Sequence, residues 1–369
     1  MKLDWSQTPD RIECRAGSQV LFADTTDHWK NAVQRLMDFD EEKARGWVEA
    51  VVTTTGKSFA DASAAEKIEA LRAGTRRFLG IANEQDAAPT NDYGALTVFG
   101  LPVDQCWVRG VGAQMGVEVV GPAQIAHGIL VNRETRQPAP PPVYEEQYFE
   151  GQTHGLGYGN YLAQSDWRME KSRRYVRRVS AIAQFAGRPT GAGTRLLDVG
   201  SGYGFFRAAA AEQGWQHDGE DVSKYAARAG EEIFGFPTFV GTLEQFAAQT
   251  QATYDVVTLF DTIEHIEDPE AFFRVVAGLL APGGLCVLRT PNLQALELEV
   301  FGRFQHSLKL EHLQYFSAAS ICHLSERVGL VPEFTTTESH LLGGFLGSHL
   351  ASLRQQLRGS DLFFAASKP

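Results

Sequence analysis

From Thr194 to the end of the chain, short apolar runs alternate with amphipathic stretches, and this alternation constrains the fold more than any other feature. Arg195–Val199, Trp215–Asp221, Thr238–Val240, Asp255–Phe260 and Leu285–Arg289 read as strands. Between them, Tyr203–Gln213, a stretch ending near Phe234 and a stretch from Pro269 to Leu280 carry apolar residues at helical spacing. Asp268 stands where a helix N-cap belongs, with Pro269 at the first helical position. Pro282-Gly283-Gly284 turns the chain into the fifth strand, and Glu333–Thr337 with Leu362–Ala366 looks like a closing strand pair. Strands that alternate with helices predict a parallel sheet covered on both faces, preceded here by a long helix over 161–186.

The rest of the chain reads differently. With 369 residues there is enough polypeptide for two cores. Residues 1–137 read as an α+β accessory domain: helical over Trp29–Met37, Glu41–Val52 and Ala64–Leu79, then β-rich in runs such as Leu96–Phe99 and Val117–Val120. Residues 138–143 hold Pro138-Ala139-Pro140-Pro141-Pro142, a stiff linker, and 144–369 form the second domain. The net charge of -11 gives no general attraction for phosphate backbones or anionic lipid, so neither nucleic acid nor membrane is the expected partner. The basic run Arg173, Arg174, Arg177, Arg178 reads as the solvated face of a helix. Cys14, Cys106, Cys286 and Cys322 are far apart, which suggests free thiols rather than a zinc site or a disulfide framework. The N-terminus lacks the apolar run of a signal peptide, and the expected location is the cytoplasm.

The chemistry begins at Leu196-Leu197-Asp198-Val199-Gly200-Ser201-Gly202-Tyr203-Gly204, where a buried strand ends in a glycine-rich turn that opens a helix. Such a turn lets backbone approach a ligand closely. A dinucleotide fingerprint needs G-x-G-x-x-G, but here the glycines run G-x-G-x-G and Phe205 stands where the third would be. Asp198, two positions before the first glycine, suits a ligand with an ammonium group and no pyrophosphate. Asp221 ends the next strand, about twenty residues on, where a carboxylate can take both hydroxyls of a ribose. It could instead cap the next helix, a role Ser223 can also fill.

These segments, followed by Asp255–Pro269 and by Leu280-Ala281-Pro282-Gly283-Gly284, resemble class I methyltransferases that use S-adenosylmethionine. Within that fold they are similar to the ubiquinone-type O-methyltransferases, over residues 144–369. The resemblance implies a doubly wound, Rossmann-like sheet of seven strands with an antiparallel last strand. It implies that Gly200, Ser201, Gly202, Tyr203 and Gly204 hold the methionine part of the cofactor, with Asp198 beneath. Asp221 would bind the ribose and Val222 pack on the adenine, with Gly241, Thr242 and Leu243 flanking it. Phe260 and Asp261 would line the methionine side. Tyr144–Phe149, including Tyr148 and Phe149, would fold over the cofactor, followed by Tyr158 and Tyr161; alternatively these aromatics only pack that cover onto the sheet.

The implied reaction is methyl transfer to a small-molecule acceptor, with S-adenosylhomocysteine as product and a hydroxyl of a secondary metabolite or sugar as the target. A hydroxyl acceptor needs a base. His312 is the first choice, then His265, with His306 third; each could instead anchor its loop. Some relatives bind a divalent ion at an acid-x-x-Glu-His cluster, matched here by Asp261, Glu264 and His265, and oxygen ligands of this kind suit magnesium. The cluster is read first as an organiser of its loop, with the ion as the alternative. Residues 1–137 carry no catalytic motif; they could cover the acceptor site, bind a partner or form a homodimer, and His28 and His127 read as structural. The competing readings are N- or C-methylation, a non-catalytic cofactor-binding protein and an NAD-dependent oxidoreductase.

Overall fold

The computed structural model describes residues 2–26, 41–63, 65–70, 97–98, 101–102, 130–131, 144–150, 160–297, 307, 312, 314–338 and 357–369. The chain opens not with helix but with a three-stranded antiparallel sheet: β1 (Asp4–Gln7), β2 (Arg11–Ala16) and β3 (Gln19–Thr25). The helical reading missed a period of two in Arg11-Ile12-Glu13-Cys14-Arg15, where Ile12 and Cys14 are buried between charged neighbours. Helix α1 (Glu41–Thr55) supplies Trp47, Val48, Val51 and Val52 to a small core with Ile12, Leu21 and Phe59. Leu296, from far along the chain, is buried in the same core. Of the other expected elements, 65–70 is helical and β4 (Thr97–Val98) pairs with β5 (Leu101–Pro102). Trp29–Met37, Val117–Val120 and the proline-rich stretch lie outside the described residues. Strand β6 (Leu130–Val131) pairs with β12 (Gln314–Tyr315).

After the short helix α2 (Glu146–Phe149) comes α3 (Ser165–Phe185), and then the expected alternation. It runs β7 (Arg195–Val199), α4 (Phe205–Ala211), β8 (Gln216–Asp221), α5 (Lys224–Phe234), β9 (Phe239–Val240), α6 (Leu243–Gln249) and β10 (Tyr254–Phe260). It continues with α7 (Pro269–Leu279), β11 (Leu280–Pro291), α8 (Ala318–Arg327), β13 (Val331–Glu338) and β14 (Asp361–Ser367). Asp268 caps α7 as the sequence suggests, accepting from Ala271 N–H at 3.0 Å.

The seven strands lie in the order β13-β14-β11-β10-β7-β8-β9. Strands β9, β8, β7, β10 and β11 are parallel, and β14 runs antiparallel to β11. Strand β11 starts earlier than expected. Leu280 already pairs with Tyr254, and the register then slips so that Leu285 meets Val256, which turns Pro282-Gly283-Gly284 into an irregularity inside the strand. Leu197, Val257, Leu288 and Phe364 are fully buried at its centre, each stabilising the fold by about 1.5–3 kcal/mol. Strand order reverses between β7 and β10, so a crevice opens beyond their C-terminal ends, where ligands of this architecture bind.

Among the described residues no helix is long and apolar enough to cross a membrane. Cys14, Cys286 and Cys322 are free, and Cys106 lies outside the described residues. Arg173, Arg174 and Arg177 are exposed, with Arg173 paired to Glu212, as a solvated helix face requires; Arg178 departs from that reading, since it is half-buried, lies 3.7 Å over the Phe363 ring and pairs with Glu338.

Candidate cofactor and acceptor site

The crevice begins at the end of β7. Asp198 is buried and paired in register between Thr258 and Gly219, and Thr258 donates to its Oδ1 at 2.7 Å. Burial pushes its carboxyl up to about 6, against the pull of the Thr258 hydroxyl and the Arg207 charge. The turn that follows has no space for a side chain at Gly200: a Cβ there would fall 2.6 Å from Thr262 Oγ1, and φ is +69°. Gly202 is different, since a Cβ there would meet nothing within 4 Å. The Oγ of Ser201 is buried and has no protein partner among the described residues. An open cradle with an unsatisfied hydroxyl is what a bound polar ligand would complete.

Asp221 closes the other side. Its Oδ2 accepts from Gly202 N–H and its Oδ1 from Ser223 N–H, both at 2.7 Å. Each oxygen keeps a second lone pair for an incoming hydroxyl. Burial raises its pKa, and the two N–H groups and Arg207 oppose that rise. Ser223, not Asp221, caps α5, accepting from Ala226 N–H. Val222 is 54% exposed, an apolar side chain open beside the carboxylate. Gly241 donates to the Asp221 carbonyl, and Thr242 forms the capping box of α6 with Gln245. Leu243 sends its side chain into the main core, which leaves only its backbone for an adenine contact.

The aromatics group as a cover. Tyr148 and Phe149 are buried against Tyr203 and Phe205, with Tyr161 packed beside them. Tyr203 therefore faces this cluster rather than open space, and Tyr158 lies outside the described residues. Tyr144 reaches both banks of the crevice: Ser223 Oγ donates to its carbonyl at 2.6 Å, and its hydroxyl lies 3.0 Å from His265 Nδ1.

On the other bank, Phe260 packs edge-on against Phe206 and Tyr175. Asp261 has φ +56° and pairs with Arg289, which also binds Asp361 at 2.7 Å. Asp261 therefore does not complete the acid-x-x-Glu-His cluster expected from sequence, because its charge is committed to Arg289. His312 takes the third place instead. Ligand atoms of Glu264, His265 and His312 lie within 4.8 Å of one another, and the two imidazoles are 4.9 Å apart between centroids. Glu264 and His312 are buried and Thr290 donates to Glu264 Oε2 at 2.9 Å. Burial and then Asp261 raise the Glu264 pKa well above the carboxylate range. His306 lies outside the described residues.

Two cations at this end were missed by the sequence reading. Arg168 stacks 3.4 Å over the Tyr161 ring, with its Nε buried and without a protein partner among the described residues. Lys171 has its pKa lowered to about 8 by burial and by Arg289, with Asp261 opposing. The signal was the spacing of 168, 171 and 175, which places them on the inward face of α3, although neighbouring arginines are solvated.

Residues 169–333 match the family described as a methyltransferase domain. A ubiquinone biosynthesis O-methyltransferase of Caulobacter sp. (strain K31) is 37% identical over 34% of this chain and 54% of its own length. One from Aeromonas salmonicida (strain A449) is 29% identical over 45% of this chain and 71% of its own. The chain thus spans about half the length of the first of these relatives. A solved S-adenosylmethionine-dependent methyltransferase from Archaeoglobus fulgidus is 18% identical with TM-score 0.41, over 56% of this chain and 99% of that one. The glycine turn, the acid ending the second strand and the sheet order agree with the family and sequence matches: residues 169–333 form a methyltransferase domain that resembles the class I S-adenosylmethionine-dependent enzymes of the ubiquinone type.

Proposed function

We propose that the chain transfers a methyl group from S-adenosylmethionine to a hydroxyl of a small molecule, a secondary metabolite or a sugar. Residues 144–369 would do the chemistry, with 1–137 as an accessory region. The observation that carries this reading is the cradle between Asp198–Gly204 and Asp221, joined through Tyr144, which bonds both Ser223 and His265, to the group of Glu264, His265 and His312. The cofactor supplies an activated methyl on a sulfonium. The protein's task is then to orient, to exclude water and to take one proton. Asp221 receives the ribose hydroxyls, Val222 packs on the adenine, and Gly200–Gly204 admit the methionine chain. Arg168, one turn from Lys171, takes the methionine carboxylate as a charge-assisted pair. His312, or His265, accepts the acceptor's proton as its oxygen attacks the methyl in line. The carbon–oxygen bond forms, the carbon–sulfur bond breaks, and S-adenosylhomocysteine leaves.

The test is to incubate the full chain with methyl-labelled S-adenosylmethionine and panels of hydroxylated metabolites and sugars, and to follow label transfer. Transfer to oxygen supports the reading. Transfer only to nitrogen or carbon overturns the hydroxyl acceptor, and no protection against thermal unfolding by S-adenosylhomocysteine overturns the cofactor.

A further inference from the structure

Arg207 is the third residue of α4 and is 1% exposed. Burying a guanidinium carries a large desolvation penalty unless charges and hydrogen bonds meet it. Here one plane meets several. Its Nη1 donates to the Pro237 carbonyl at 2.9 Å and its Nη2 to Thr238 Oγ1. The guanidinium lies 4.5 Å over the Phe236 ring. The backbone has been cleared around it. A Cβ on Gly219, in β8, would fall 2.4 Å from Cζ and Nε, and one on Gly204 would fall 3.1 Å from Nη2. Asp198, Asp218 and Asp221 are the acids that act on its charge, and His217, whose pKa burial and then Arg207 lower, packs on the same Phe236 ring.

We propose that Arg207 is a positioning residue for the cofactor: it bolts the helix that opens at the glycine turn to segment 236–238, and it supplies the positive charge that Asp198 and Asp221 face. This rests on the cofactor reading above. Segment 236–238 leads into β9 and so to Gly241 and Thr242, on the adenine side, while α4 starts on the methionine side. One side chain therefore fixes the spacing of the two halves of the cradle. Its charge opposes the upward push of burial on both carboxylates. The other charged groups there are acids: Asp218, which acts on the Arg207 charge, and Glu220 beside Asp221, whose carboxyl is pushed up to about 8 by burial and then by Asp221, with Glu244 and Asp198 adding to the rise.

The test is calorimetric titration of the full chain with S-adenosylhomocysteine between pH 5 and 8.5. The variants are Arg207→Met, Arg207→Lys and Thr238→Val. Arg207→Met should weaken binding about ten- to a hundredfold at pH 7. It should also move the acid limb of the binding profile up by about one pH unit, since an opposite charge has been removed from beside the carboxylates. Arg207→Lys keeps the charge and loses the fork, so its affinity should fall while the limb stays in place. Thr238→Val, which leaves the arginine untouched, should weaken binding about fivefold with no movement of the limb. A methionine variant with a wild-type limb overturns the electrostatic role. If that variant does not fold, a lysine variant whose limb moves overturns the same role. Wild-type affinity in Thr238→Val overturns the bolt. If the wild-type chain itself does not bind S-adenosylhomocysteine, the cofactor reading fails first.

Discussion

The hydroxyl of Tyr144 lies 3.0 Å from Nδ1 of His265, and the rings meet edge to face with centroids 5.9 Å apart. One ring nitrogen of His265 is thus engaged by the cover, which fixes the plane in which the imidazole faces His312. Tyr144→Phe should lower kcat/KM for the acceptor about tenfold, the worth of one such bond, and leave S-adenosylhomocysteine affinity within about threefold. Steady-state kinetics beside calorimetry will check this; a large loss of cofactor affinity would place Tyr144 on the cofactor instead.

The histidines are separable in the same way. His312→Ala should reduce turnover by about 10²–10⁴-fold with cofactor affinity retained, and His265→Ala should reduce it less. Single-turnover rates of both variants decide. Near-normal turnover in both would show that positioning alone suffices for this acceptor.

Asp221→Ala removes the group that bridges Gly202 and Ser223 as well as the expected ribose contact. Affinity for S-adenosylhomocysteine should fall by about 1.5–3 kcal/mol. Unchanged affinity would remove the ribose assignment.

Gly202→Val tests the cradle. Nothing stands within 4 Å of the new Cβ, so no clash prevents folding, although φ is +53° and the residue is β-branched. The strain should cost about 1–2 kcal/mol of stability, visible as a lowered Tm with an intact far-ultraviolet spectrum. Cofactor binding should be abolished, because the side chain occupies the space left open. A folded variant that still binds normally would move the methionine site elsewhere.

Asp198 gives a pH dependence. Its carboxyl is raised from 3.8 to about 6 by burial, so the folded chain holds this proton longer than the unfolded chain does. The stability this contributes is complete below pH 3.8 and is lost as pH rises through 6. Binding an ammonium group runs the other way, since it needs the anion. S-adenosylhomocysteine affinity should therefore fall as pH drops through about 6, by up to about tenfold per unit, and Asp198→Asn should flatten that limb. A pH-independent affinity in the wild type would contradict the charge assigned to this residue.

What could be read from the sequence was local. The turn Asp198–Gly204, the acid at 221 and the cap at Asp268 each announce themselves within a few residues, because glycine spacing and cap chemistry act over one turn. The pairing of Asp261 with Arg289, and the arrival of His312 in its place beside Glu264, depend on strands brought together only by the folded sheet. Arg207 hides in Phe205-Phe206-Arg207-Ala208-Ala209, which reads as an ordinary helix with one polar position. What makes it unusual is the absent side chain at Gly219, on a different strand. The opening sheet was missed because β2 holds as many charged residues as apolar ones, which masks its apolar face, although their alternation was visible.

Leu296 sits 1% exposed inside the core built by β2, β3 and α1. The first residues of the chain are therefore not baggage that can be trimmed at a convenient proline. A fragment started after the proline-rich stretch would carry a bare leucine three residues beyond Leu293, whose N–H holds the Phe316 carbonyl on the acceptor bank. Such a fragment would strip Leu296 of the core that buries it, so expression boundaries for this protein belong outside the core that Leu296 completes.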